Sequence, residues 1–564
     1  MILGLQGQYI RPERTLTSVY GFDAAVKDLF INFIKNKSMR EIAVISDENV
    51  YQTAVLKKWI SWARKSQRES VNDNISVYSE FSSIEKDEFK QVDVLHNLSH
   101  AVLSQYYYRN RLARKNIPVT STVHCASYHS IVETLLMPKI LYGCKPYDSV
   151  ICTSSALKKV MQKYAGMIRD RLNDRFKINL QDEMRLDVIP LGVEHSVFYP
   201  MDKGLCRDKY QIERSSFVLL WMGRISAYDK ADLFPLLRIV KNLSGRNDKK
   251  IVLVIAGRDN QANPCLPGIV SFCKELDIAD RVKFITGFPP KERNMIYNLA
   301  DVFVSPIDSI QETFGLTPLE AMCAGIPQVV SDWDGYRDIV VENKTGFCIP
   351  TYRHPCFGDI ADSFMMLSDI EFRNRIQHYI MGQTTVVDNE LFEQAIQKLI
   401  DSPSLLREMS ENSLKQSEKY AWNRIIEKYN KLWEELSHIA AKEEQAENGA
   451  FCGIHTLNYD YLFSSYPTKI LNPDIFLQIT AEGRLQAEEK QKIPLHYNFE
   501  KKLLHCQIQA ELIELFYRER FRRLALDEVC TMMKGRCSKN VTIRAVMSLI
   551  KQGMLKSYEM EGSL

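Results

Sequence analysis

No apolar run in this chain of 564 residues approaches the length needed to cross a membrane as a helix, and the opening Met1-Ile2-Leu3-Gly4-Leu5 is too short for the core of a secretory leader. An excess of one charge is missing too. Seventy-three lysines and arginines against 70 acids leave a formal net charge of +3, which argues against a nucleic-acid-coating protein and against an acidic tail. The thirteen cysteines include no C-x-x-C pair and are odd in number, so they read as reduced, mostly buried thiols rather than a disulfide frame or a zinc site. These absences describe a cytoplasmic protein with no metal assigned. At 45% hydrophobic and 25% charged residues, the chain is long enough for two or three cores.

What is present is a repeated alternation of short apolar strands and helical stretches. Strands are expected at 41–46, 92–96, 119–124, 149–153 and 187–190, and again at 217–222, 251–256, 282–285, 301–305 and 328–331. β-Branched runs spaced by helices describe parallel sheets covered on both faces. The expected fold class is therefore α/β, with two Rossmann-like doubly wound domains facing a cleft suited to a two-substrate reaction. The divisions read as 1–200, 201–438, a connector at 439–504 and a small, mainly helical domain at 505–564.

The stretch from Pro306 to Ala321 carries the most chemistry. Thr317 suits a helix cap, Pro318 the first helical position and Glu320 the capping-box position three residues after the cap. Gly315 and the N–H groups after it would then face an anion, since a helix start carries unpaired donors and about half a positive charge. Glu312 lies just upstream in the same loop. The plain alternative is a capping box beside a solvated loop acid. After the strand at 217–222, Gly223-Arg224 and Lys230 offer a guanidinium fork and a mobile point charge for a diphosphate. Asp229 and Asp232 also suit an ordinary surface pairing of the same two cations.

Taken together, Gly223-Arg224 with Lys230, Ala256-Gly257-Arg258-Asp259, Gly287-Phe288, Ser305-Pro306, Glu312-x7-Glu320 and Ala324-Gly325-Ile326-Pro327 resemble the donor half of the retaining GT-B glycosyltransferases, glycosyltransferase family four. Val123-His124, the run Val188 to Glu194 with Phe198-Tyr199-Pro200, and a closing helix from Tyr420-Ala421-Trp422 to about His438 extend the resemblance over roughly residues 1–438. It implies metal-independent transfer of a sugar from a nucleotide sugar, such as a UDP- or GDP-sugar, to an acceptor hydroxyl with retention at the anomeric carbon; no resident cofactor is implied. Arg224 and Lys230 would bind the diphosphate, Glu320 the ribose, and Glu312 would lie beside the sugar. The amides of Thr313, Phe314, Gly315, Leu316 and Thr317 would hold sugar hydroxyls and phosphate, with Gly223, Gly257, Gly287 and Phe288 completing the donor site. Gly21 stands where the family pairs two glycines against the phosphate, but its second glycine is here Phe22. His124 would serve the acceptor pocket, although a strand-end histidine is also a common structural residue and Cys125 follows it where an acid is frequent.

The acceptor is left open among a glycan, a lipid-linked sugar, a peptide and a small molecule. Aromatic and basic residues mix at Lys57-Lys58-Trp59-Ile60 with Trp62, Arg64 and Lys65, and at Tyr106-Tyr107-Tyr108-Arg109 with Arg111 and Arg114, in the manner of helices lying on the inner face of a membrane. Ordinary helices with buried aromatics fit the same runs and are the preferred reading. The tail reads as helices over 516–523, 525–533 and 540–550 before a short extended run, in winged-helix order, with Lys539, Asn540, Thr542 and Arg544 at the start of the third. Protein docking or self-association is preferred there to nucleic acid because the chain is barely basic. The aromatic run at 459–463 suits docking, and 354–385 reads as an insertion near the cleft. Rival readings are a nucleotide-sugar epimerase or sugar phosphorylase of the same architecture, and a nucleic-acid-binding regulator with a sugar-sensing core. Asp332-Trp333-Asp334 matches a metal-binding Asp-x-Asp pattern but reads as a turn before Gly335. Sugar transfer is therefore expected to continue undiminished in EDTA, and loss of turnover restored by a divalent cation would assign these two acids to a metal.

Overall fold

The apolar runs assemble into two sheets whose strands are all parallel within each sheet. In this computed structural model the described residues are 1–6, 21–46, 54, 56–58, 60–61, 72, 74–79, 92–112, 115–180, 184–259, 264–358, 370–444, 458–467, 475–488, 506–519 and 522–558. They divide into two units, Met1–Gly453 and Ile454–Leu564.

The first sheet holds β1 (Ile2–Gln6), β2 (Glu41–Ser46), β3 (Ile75–Ser79), β4 (Val94–Asn97), β5 (Val119–Val123), β6 (Ser149–Cys152) and β7 (Leu186–Val188) in the order β3-β2-β1-β4-β5-β6-β7. Two of these were not expected. β1 is a buried inner strand of the sheet although the sequence there stands out only as too short for a leader, and β3 is a half-buried edge strand with polar residues interspersed. The second sheet holds β8 (Phe217–Ile225), β9 (Ile251–Asp259), β10 (Val282–Thr286), β11 (Val302–Ser305), β12 (Gln328–Ser331) and β13 (Gly346–Ile349), ordered β10-β9-β8-β11-β12-β13. β13 was also unexpected. β8 and β9 outrun their apolar cores, so Gly223 and Arg224 lie within a strand, opposite Gly257 and Arg258. The strands approach so closely there that a Cβ on Gly257 would sit 1.7 Å from the Gly223 carbonyl oxygen. In each sheet the order reverses beside the first strand, between β1 and β4 and between β8 and β11, and such a reversal opens a crevice at the carboxyl ends.

The helices that position the cleft are α1 (Gly21–Ile34), α2 (Ser155–Phe176), α3 (Leu316–Cys323), α4 (Tyr336–Ile339), α5 (Ile370–Gln383) and α6 (Trp422–Lys442). α6 follows the second sheet in sequence but packs on the first. Its apolar face places Tyr429 and Trp433 in a ring cluster with Phe33 and His96 at centroid distances of 5.0–5.6 Å. The Trp433 indole N–H donates to Thr120 Oγ1 at 3.1 Å, and the hydroxyls of Tyr429 and Thr122 meet at 2.9 Å. Burial lowers the His96 pKa to about 3, so the ring enters the cluster uncharged. At the helix start the Trp422 ring occupies space that only glycine leaves, since a Cβ on Gly192 would fall 2.4 Å from it.

The stretch read as an insertion is flanked by an antiparallel pair, β14 (Thr351–Tyr352) and β15 (Val386–Val387). α5 returns from it toward the cleft. The aromatic and basic run at Tyr106 is not a membrane face: Tyr106, Tyr108 and Arg109 are buried, and Arg109 pairs with Asp148 at 2.5 Å. Lys57 and Lys58 are exposed, whereas Trp59, Trp62, Arg64 and Lys65 lie outside the described residues, as does Arg114.

In the second unit, β16 (Phe476–Ile479) is the central strand of an antiparallel sheet, between β17 (Leu524–Ala525) and β18 (Leu555–Tyr558). α7 (Cys506–Arg518), α8 (Leu526–Met532) and α9 (Lys539–Lys551) complete it. β16 falls inside the stretch read as connector, and α7 begins ten residues before the helix expected at Phe516. Thr542, expected on an exposed face, is fully buried, with its Oγ1 3.2 Å from Cys537 Sγ. Lys539, Asn540 and Arg544 are exposed as expected, Lys539 with Asp527 2.8 Å away.

The packing of α6 predicts two measurements. Gly192→Ala should cost about 1–3 kcal/mol through overpacking against Trp422. Trp433→Phe should cost about 1–3 kcal/mol through lost volume and an unpaired Thr120 hydroxyl. Each is read as a lower urea midpoint at unchanged slope; an unshifted midpoint in both variants would refute the account of α6 as the closing element.

Candidate functional site

The loops leaving β8 and β11 meet at the reversal point of the second sheet, and each brings one charge. Lys230 Nζ lies 2.7 Å from Glu312 Oε2. Burial pushes the Glu312 carboxyl up, but Lys230 and the backbone N–H groups of Thr313 and Phe314 outweigh it and hold the group below its ordinary value. Those two amides, 3.3 and 3.5 Å from Glu312 Oε1, are therefore aimed at the protein's own carboxylate. Arg224, on β8, pairs with Asp229 at 2.8 Å.

The start of α3 differs from the sequence expectation. The cap is Gly315, at φ 114°, and the helix begins at Leu316; Thr317 and Pro318 are already inside it and no side chain caps it. Glycine is required because a Cβ would meet the Tyr336 ring at 2.6 Å. Glu320 closes no capping box. It is 5% exposed and turns inward, where its Oε2 accepts from Arg293 and from the Tyr297 hydroxyl, each at 2.6 Å. Asp28 of α1 interacts electrostatically with both Arg293 and Glu320, and burial raises its pKa to about 6. Arg293 is the site residue that the sequence reading missed. It sits in a charged run, Lys291-Glu292-Arg293, where nothing separates it from a surface helix. Gly287 turns the chain at φ 69° after β10, and Phe288 packs against the core of the second sheet.

The first sheet contributes from the end of β5. The Thr313 hydroxyl donates to the His124 carbonyl at 2.6 Å, Gln311 donates to the Tyr128 hydroxyl, and the His124 ring Nε2 lies 2.9 Å from the Leu98 carbonyl. Burial lowers the His124 pKa to about 4, which leaves a neutral imidazole. Farther along, the Ser155 amide and hydroxyl at the start of α2 donate to the Asp338 carboxylate of α4 at 2.6 and 2.5 Å. Asp334 and Gly335 form a turn; Asp334 accepts from Ser154 at 3.3 Å while Asp332 pairs with Arg337 at 2.6 Å. The two carboxylates thus have separate partners. Gly21 opens α1, with the residues before it outside the description. The structure thus brings together Lys230, Glu312, Thr313 and His124, while Gly223 and Gly257 are accounted for by the contact of β8 with β9.

Comparison with known proteins places this geometry. Residues 202–381 match the family described as glycosyl transferases group 1. Over 214 residues the chain is 28% identical to the D-inositol 3-phosphate glycosyltransferase of Mycobacteroides abscessus, covering 37% of this chain and 46% of that protein. The Mycolicibacterium smegmatis protein of the same name is 29% identical over 194 residues, covering 34% and 41%. The chain thus spans less than half the length of these curated relatives. Among solved structures, Anabaena Alr3699/HepE in complex with UDP superposes with a TM-score of 0.50 at 13% identity, over 77% of this chain and 99% of that one, a likeness of fold. The residues matched to that family, 202–381, are those that carry Lys230, Glu312 and the start of α3 at the reversal point of their sheet.

Proposed function

We propose that the protein transfers a sugar from a nucleotide sugar to an acceptor hydroxyl, with retention of anomeric configuration and without a metal. The observation that carries the reading is the Lys230–Glu312 pair at the reversal point of the second sheet, tied to the first through Thr313 and His124. A departing nucleoside diphosphate needs cationic charge where its oxygen develops, and a preorganised Lys and Arg supply it without waiting for solvent to reorganise. Lys230, paired with Glu312 of the loop after β11, and Arg224, paired with Asp229 of the loop after β8, are the cations in reach. Arg293 and Tyr297 both occupy Oε2 of Glu320, which leaves Oε1 as the oxygen for a ribose hydroxyl. In a front-face reaction the leaving phosphate oxygen takes the acceptor proton, so the protein's part is positioning, and the neutral His124 ring lines the acceptor side.

The division into an acceptor half at 1–200, a donor half at 201–438 and an accessory C-terminal unit follows from the same reading. The names of the curated relatives favour a polyhydroxylated sugar or cyclitol acceptor. In the C-terminal unit the burial of Thr542 and the pairing of Lys539 reduce the face a duplex would contact, which favours a docking or self-association role.

A thermal-shift panel of nucleoside diphosphates and nucleotide sugars, UDP and UDP-sugars first, should show a selective stabilisation that is lost in Lys230→Ala and Glu320→Ala. Turnover in folded Arg224→Ala and Lys230→Ala should fall by about 10²-fold or more, the scale for removing one group that stabilises developing negative charge. A glycosylated product with the donor's anomeric configuration supports transfer. An epimerised donor or phosphate-dependent release of sugar would replace it with an epimerase or phosphorylase, and wild-type turnover in both folded variants would remove the diphosphate assignment.

A further inference from the structure

The insertion helix α5 lies over the place where three loops from both sheets converge. The His378 ring packs 5.2 Å from the ring of Tyr128, in the loop after β5, and bonds the backbone of Ser127. Tyr379 packs 5.2 Å from Tyr228 in the loop after β8. At Gly382 the helix comes so near the loop after β11 that a Cβ would sit 3.5 Å from Asp308 Oδ1. The same three loops carry His124, Lys230 and Glu312. Tyr128 accepts from Gln311, the neighbour of Glu312, and His378 interacts with Asp229, the neighbour of Lys230. α5 therefore roofs the space beside the Lys230–Glu312 pair.

The inner stripe of this roof is polar. Asn374, His378 and Gly382 repeat at four-residue spacing along one face, with Arg373 and Gln377 alongside. Asn374 Oδ1, Gln377 Oε1, His378 Nε2 and Arg373 Nε are buried and have no hydrogen-bond partner among the described residues. His378 is 2% exposed. Native proteins leave few such atoms unpaired, because a buried donor or acceptor without a partner loses its water for nothing. Four on neighbouring turns of one helix call for a ligand rich in hydroxyls, each of which both donates and accepts. Burial lowers the His378 pKa, so its ring is neutral and offers one donor and one acceptor nitrogen.

We propose that the inner stripe of α5, centred on His378 with Asn374 and Gln377, binds the hydroxyls of the sugar carried by the nucleotide donor and sets which nucleotide sugar is used. The proposal rests on the transferase reading. The donor's sugar is favoured over an acceptor's because the loops that α5 covers also carry Lys230 and Glu312, to which the diphosphate and sugar are assigned. A donor pocket with its selectivity on an inserted helix takes its base-and-phosphate affinity from one set of residues and its choice of sugar from another.

The test separates the two. Dissociation constants of the full-length protein are measured for UDP, GDP and the corresponding glucose, galactose, N-acetylglucosamine and mannose derivatives, in the wild type, His378→Ala, Asn374→Ala and His378→Gln. Affinity for the parent diphosphate should stay within about twofold, while affinity for the preferred nucleotide sugar drops about tenfold, equivalent to about 1.4 kcal/mol, in each alanine variant. Preference among epimers should narrow together with it, and His378→Gln should recover part of the loss because its amide restores a donor and an acceptor. Asn374→Ala decides the matter if His378→Ala does not fold. Unchanged nucleotide-sugar affinity in a folded variant overturns the proposal and leaves the transferase reading intact. So does an equal loss for diphosphate and nucleotide sugar, which makes the helix merely structural. A wild type that binds no nucleoside diphosphate or nucleotide sugar overturns the transferase reading itself and the proposal with it.

Discussion

The return of α6 onto the first sheet is the constraint from which the cleft follows. A helix that closes its own domain would leave two sheets joined by a single crossing. Here the Tyr429 and Trp433 rings are buried against Phe33 and His96 on the far side of that crossing, so separating the halves would expose a large aromatic surface to water. Gly192 makes the crossing possible, because the chain passes directly beneath the Trp422 ring. With that latch set, the loops at the carboxyl ends of β5, β8 and β11 meet one another rather than solvent.

Where those loops meet, charge is buried in matched sets. Lys230 with Glu312, Arg224 with Asp229, and Arg293 with Glu320 each take an acid and a base from water together, the arrangement that keeps a buried charge from being prohibitive. A phosphate can replace a carboxylate as the partner of a Lys or Arg, which is the exchange proposed for Lys230 and Arg224. Asp308 is different. Burial raises its pKa to about 8, so near neutrality it packs under α5 chiefly as a neutral acid, which suits a wall meant for hydroxyls rather than for phosphate.

The tail gives a contrasting case of how local pattern and tertiary structure share the outcome. Its second and third helices lie within a residue or two of the expected positions, since their apolar spacing and the Ser538 cap are local signals. Its sheet was not legible, because the central strand comes from Phe476–Ile479, more than 40 residues upstream, and a four-residue apolar run carries no mark of its partner.

By itself the sequence determined the alternation of strands and helices, the paired sheets, and the motifs at 223–230 and 312–320, because apolar period and spacing are properties of neighbouring residues. It also set 354–385 apart from the elements on either side, and β14 with β15 flanks that stretch within three residues of either limit. Only the tertiary structure decided what each marked residue faces. Glu320 occupied a capping-box position in the sequence, yet it bonds Arg293 and Tyr297 because the cap of α3 is Gly315, two residues earlier than the Thr317 cap the sequence suggested. Thr542 looked like a reader's side chain and is core; Tyr106 and Arg109 fitted either a membrane face or, as preferred, a helix with buried aromatics, and they are core. His378 carried no motif at all. Its surroundings come from loops more than a hundred residues away in the chain, and which side chains a helix meets at that separation depends on how the two sheets pack, which no local pattern encodes.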